Sequence, residues 1–133
     1  MRKSVLCGIA ILFITSCDNS YTEKELYGSY TPVGYKNTFD TIELKPQNIY
    51  HRKVYDKNNK LVLEMNGKWI MKSTDKVQFS DFFFNLDRDV SKFPELLTDT
   101  DMSVETYFET RKGVIGFCTG YYQDSNCYKK AVK

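Results

Sequence analysis

Apolar residues are spaced in two different ways along this chain. Positions 5–14 form an almost unbroken apolar run: Val5, Leu6, Cys7, Gly8, Ile9, Ala10, Ile11, Leu12, Phe13, Ile14. From Tyr27 onward, short stretches alternate apolar with polar residues instead, and a period of two sends successive side chains to opposite faces of a β-strand. The stretches fall at 26–30, 39–45, 49–55, 61–71, 76–84, 102–111, 114–119 and about 126–132. In the second, Ile42 and Leu44 share a face against Thr41, Glu43 and Lys45; in the third, Tyr50 and Val54 do; in the sixth, Val104, Thr106 and Phe108 oppose Glu105, Tyr107 and Glu109. Turn formers lie between them: Pro32 and Gly34, Pro46-Gln47-Asn48, a polar tip at 56–60, and Lys112-Gly113. Gly67, inside the fourth stretch, is expected to mark a bulge or kink. Residues 85–101 break the alternation, and Pro94 stops regular pairing, so this span reads as a long loop with a short helix.

Eight short strands in up-and-down order would leave two bare edges as an open sheet. Closure removes both. The expected fold is therefore all-β: a single small antiparallel barrel. Its inward positions include Ile42, Leu44, Trp69, Met71, Phe79 and Phe108, bulky enough to predict a filled interior. The segments Leu26-Tyr27-Gly28-Ser29-Tyr30, Asp40-Thr41-Ile42-Glu43-Leu44-Lys45, Gly67-Lys68-Trp69 and Val77-Gln78-Phe79 resemble the small lipocalin-like domains of exported bacterial lipoproteins. In those domains a Gly-x-Trp/Tyr opens the first strand and a later Gly-x-Trp begins a central one. Here the first aromatic is Tyr30, and the chain is shorter than a full lipocalin. The resemblance spans most of residues 26–132. It implies a fold, and an eight-strand barrel with an open interior holds one small apolar ligand.

The amino terminus carries a different signal. Arg2 and Lys3 precede the apolar run, and Thr15, Ser16 and Cys17 follow it before polarity rises at Asp18, Asn19 and Ser20. A basic start, about ten apolar residues and a small-residue cut site describe a secretory signal, and the run falls short of the roughly twenty residues a membrane-spanning helix needs. Ile14-Thr15-Ser16-Cys17 resembles the lipobox of bacterial lipoproteins. That resemblance implies removal of residues 1–16, a diacylglyceryl group on the Cys17 thiol, and a place in the cell envelope on the inner or outer membrane. Residues 17–26 then read as a lipidated tether and 27–133 as the barrel domain.

Four cysteines occur. Cys7 leaves with the signal and Cys17 takes lipid, so Cys118 and Cys127 are expected to pair in oxidising surroundings. Two thiolates without a neighbouring histidine do not make a zinc site. The 19 basic and 17 acidic side chains become 17 against 17 once Arg2 and Lys3 are removed. A neutral domain offers no electrostatic footprint for nucleic acid.

No catalytic set emerges. His51 is the single histidine, mid-strand, and reads as a surface residue; no serine stands in a nucleophile elbow. The acidic runs at 87–91 and 99–103 lack the glycine and terminal acid of an EF-hand loop and read as solvated, so no metal and no cofactor is expected. The aromatics are more suggestive. Phe82-Phe83-Phe84 puts at least one ring on the wrong face of any strand, Tyr121-Tyr122 sits at a hairpin tip, and Tyr107 and Tyr128 are expected outside. Rigid rings bury area at low entropic cost, so Phe82, Phe83, Phe84, Tyr121 and Tyr122 form the candidate binding surface. The functional expectation is a membrane-anchored, non-catalytic binding or accessory module. Its partner would be an envelope protein or a small apolar ligand. The alternative is an immunity or lysozyme-inhibitor-like protein that blocks an exported enzyme.

Overall fold

In a computed structural model, residues 19–34, 38–82, 103–119 and 126–132 are described. A short helix α1 (Glu23–Leu26) precedes eight strands: β1 (Gly28–Pro32), β2 (Thr38–Lys45), β3 (Ile49–Asp56), β4 (Leu61–Met71), β5 (Lys76–Phe79), β6 (Val104–Arg111), β7 (Val114–Cys118) and β8 (Cys127–Lys130). Each strand pairs antiparallel with its neighbours in sequence, and β1 pairs with β8 to close the barrel. No helix among the described residues is long and apolar enough to cross a membrane.

The two-residue period sorts side chains between wall and core as expected. β3 alternates exposed Ile49 with buried Tyr50, Arg52 and Val54, and β6 buries Val104, Thr106 and Phe108. Interior positions are filled by Tyr30, Tyr50, Trp69, Phe79, Phe82, Phe108, Phe117 and Tyr128, each about 1% exposed or less. Several of their rings meet edge-on: Tyr50 on Phe79 at 5.4 Å and 87°, Tyr30 on Phe108 at 5.7 Å and 90°. Such arrangements match the quadrupole of one ring to the edge of the next.

Several details depart from the sequence reading. Residues 21–26 are not a free tether. Tyr21 donates its amide to the Thr74 carbonyl at 2.8 Å, and its hydroxyl meets Thr110 Oγ1 at 2.8 Å. A capping box between Thr22 and Glu25 then starts α1, and Leu26 is fully buried. The irregularity in β4 falls opposite Val54 and Tyr55, not at Gly67. Gly67 instead lies directly across from Tyr50, whose ring occupies the space a Cβ would need. β5 stops at Phe79 rather than continuing to Phe84, because Asp81 takes a left-handed backbone (φ 56°) that turns Phe82 back into the core. Tyr128 lies inside rather than outside, stacked on Phe117 at 5.1 Å. Tyr107 is exposed, as expected.

Strand direction assigns each connection to one of two rims. Turns 46–48, 72–75 and 112–113 lie at the rim where α1 enters. There Trp69 Nε1 donates to the carbonyls of Lys45 (3.2 Å) and Ile49 (3.1 Å), with Tyr27 edge-on to the indole. The β1–β2, β3–β4, β5–β6 and β7–β8 connections all leave from the opposite rim.

Candidate functional site

The loop-bearing rim gathers most of the chemistry that lies within the described residues. Asp40 on β2 and Arg52 on β3 sit between inward-facing Ile42 and Val54 and are both fully buried. The guanidinium grips the carboxylate with two bonds: Nε to Oδ1 at 3.0 Å, and a terminal nitrogen to Oδ2 at 2.7 Å. Tyr128, from β8 on the other side of the barrel, donates its hydroxyl to Asp40 Oδ2 at 2.7 Å. The Phe82 ring lies under the guanidinium carbon at 4.4 Å. Burial works most strongly against the charge on Arg52, but the Asp40 carboxylate together with the Tyr128 and Tyr50 hydroxyls outweighs it and holds the group protonated beyond its ordinary range. A permanently charged cation held by the Asp40 carboxylate and the Phe82 ring is not a proton shuttle. It ties β2, β3, β8 and the turn after β5 together across the barrel mouth.

The neighbouring contacts serve the same end. Tyr50 donates its hydroxyl to the carbonyls of Ser80 (2.6 Å) and Asp81 (3.1 Å), which fixes the turn that buries Phe82. Thr106 Oγ1 donates to the Cys118 carbonyl at 2.6 Å. Cys118 and Cys127 are disulfide-bonded across a register pair of β7 and β8, with Cα atoms 4.0 Å apart. On the outer wall beside this bridge runs a groove of about 360 Å³ along β6, β7 and β8. Gly116 lies along its lining, and a Cβ there would come within 2.6 Å of the Tyr128 carbonyl oxygen.

Of the candidate binding aromatics, Phe82 is a core residue at 1% exposure, so it does not belong to an outer surface. Phe83, Phe84, Tyr121, Tyr122 and Cys17 lie outside the described residues, as do the expected helix at 85–101 and both acidic runs except Ser103. His51 is partly buried on the wall, with its Nε2 3.2 Å from Glu64 Oε1. The sequence reading missed Asp40 and Arg52, although the signal was present. Asp40 shares parity with Ile42 and Leu44, and Arg52 with Tyr50 and Val54, so the alternation that places those apolar residues inside places both charges there as well.

Comparison with protein families, with curated proteins and with solved structures finds no match to this chain.

Proposed function

We propose that this chain is a bacterial envelope lipoprotein, held by acyl chains on Cys17, whose lipocalin-like barrel is a non-catalytic binding module for a protein partner. The observation that carries the reading is the filled interior. Eight aromatic side chains and the Asp40–Arg52 pair occupy the space in which a ligand-carrying barrel would hold its cargo. A barrel packed in this way presents rigid surfaces rather than a cavity. The alternative, an inhibitor of an exported enzyme, draws support from the disulfide at the base of the 119–126 connection. A covalent tie there limits the freedom of whatever the rim presents.

Mass spectrometry of protein extracted from its native membrane tests both halves of the proposal. The expected mature species begins at Cys17, bears acyl mass there, and carries no stoichiometric small molecule under native conditions. An unprocessed methionine start would remove the anchor. A co-purifying apolar ligand would replace the partner-binding module with a carrier.

A further inference from the structure

The tether, the rim it enters and the side chains around that rim form a directional arrangement. The chain is fixed from Tyr21 onward, through its bond to the Thr74 carbonyl in the β4–β5 turn. Only four peptide steps separate Tyr21 from Cys17, a reach of about 14 Å at full extension. Eight residues of strand such as β3 span about 26 Å, or about 20 Å of height at the usual tilt of a barrel wall. Lipid on Cys17 therefore holds the α1 rim against the bilayer and leaves the loop-bearing rim out of reach.

The outer wall at that lower rim has a matching composition. Lys45, Ile49 and Lys68 stand side by side at one level of β2, β3 and β4 through the register pairs Lys45↔Ile49 and Ile49↔Lys68. Ile70 follows on the outward face of β4 at 51% exposure, with Ile49 at 37%. Exposed Lys72 comes next, two residues from the tether's attachment at Thr74. The acids nearby are Glu43, 3.8 Å from Lys45; Asp75, in the same turn as Lys72, where it accepts from the Ser73 hydroxyl; and Glu105, which acts on Lys72 at longer range. The β3–β4 turn at the far rim carries Lys57 and Lys60 beside Asp56. Two exposed isoleucines ringed by lysines, beside the point where the anchor enters, match an anionic bilayer surface. The lysines meet lipid phosphates, and the aliphatic tips enter the headgroup boundary.

We propose that Lys45, Ile49, Lys68, Ile70 and Lys72 form a membrane-docking patch for anionic phospholipid, which fixes the barrel upright with its loop-bearing rim facing away. The patch rests on the lipid-anchor reading, and the test separates the two. The mature chain 17–133 is coupled through its Cys17 thiol to a maleimide lipid, in vesicles rich in phosphatidylglycerol or made of phosphatidylcholine alone. Lysine acylation is then mapped by mass spectrometry. Reactivity of Lys45, Lys68 and Lys72 should fall about threefold or more on the anionic vesicles relative to the neutral ones, while Lys57 and Lys60 stay unchanged. The paired change Lys68→Glu with Ile70→Glu should abolish that protection. Equal reactivity of the two sets, or protection of Lys57 and Lys60, overturns the docking patch. Because coupling is chemical, either result stands even if native protein proves to carry no acyl mass, an outcome that removes only the anchor.

Discussion

Tyr50 lies flat over Gly67 on the next strand, with its hydroxyl committed to the turn carbonyls beyond. Gly67→Ala would push a methyl group into that ring. The expected loss is about 1–3 kcal/mol in urea unfolding, the usual range for overpacking a well-filled core. Unchanged stability in that variant would mean that Tyr50 can move aside. The buried pair calls for a different argument. Removing one partner leaves an uncompensated charge, so Arg52→Met should cost about 3–5 kcal/mol. Adding Asp40→Leu to it should recover part of that, although Tyr128 then loses its acceptor. A double variant weaker than the single one would refute this account. Asp40 and Arg52 show how much could be read in advance. Alternation places every side chain on one face or the other whatever its polarity, so their burial was legible. Their pairing was not, because it depends on register between β2 and β3, which no local signal carries.

Strands and turns follow the sequence closely where both partners are regular, as in the eight-pair ladder of β2 on β3. They diverge where a turn competes with a strand. At the end of β5, the run Phe82-Phe83-Phe84 reads as continued strand, yet Tyr50 captures the Ser80 and Asp81 carbonyls and ends it at Phe79. α1 was hidden for a similar reason: four residues are too few to show helical periodicity, and only the Thr22–Glu25 capping box marks them. The last hairpin was legible through its cysteines. Cys127 lies nine positions after Cys118, and a short loop of that kind contributes roughly 2–3 kcal/mol in the chain-entropy description. Folded, unreduced protein should therefore give no thiol labelling at either position, and reduction should lower the urea midpoint by a matching amount. Full labelling without reductant would contradict the bridge.

The barrel as a whole concentrates phenol groups where water does not reach. Burial pushes the Tyr30 and Tyr50 hydroxyls above their ordinary value of 10. A raised value in the folded state means that the protonated form stabilises the fold below pH 10, and that this contribution fades as pH rises past it. Stability measured at stepped alkaline pH should decline from about pH 10 upward, and Tyr50→Phe should flatten the decline. A flat profile in the parent protein would mean that these phenols ionise equally well when folded. Architecture was the most legible property, since a repeated period-two rhythm with eight segments leaves closure as the way to hide both edges. The partner was the least legible. Side-chain volume dictates what fills a core, whereas recognition depends on which residues the connections bring together, and Phe83, Phe84, Tyr121 and Tyr122 all lie outside the described residues.

The seam between β1 and β8 has a temporal consequence. Its second strand, Cys127–Lys130, is the last of the eight in chain order. A polypeptide made from its amino end holds seven strands before the eighth exists, and until then the β1 and β7 flanks are bare hydrogen-bonding edges open to any passing chain. The cylinder thus cannot form piecemeal during synthesis. Loss of β8 alone would leave a seven-stranded sheet with two adhesive margins, more prone to clumping than to simple loss of function.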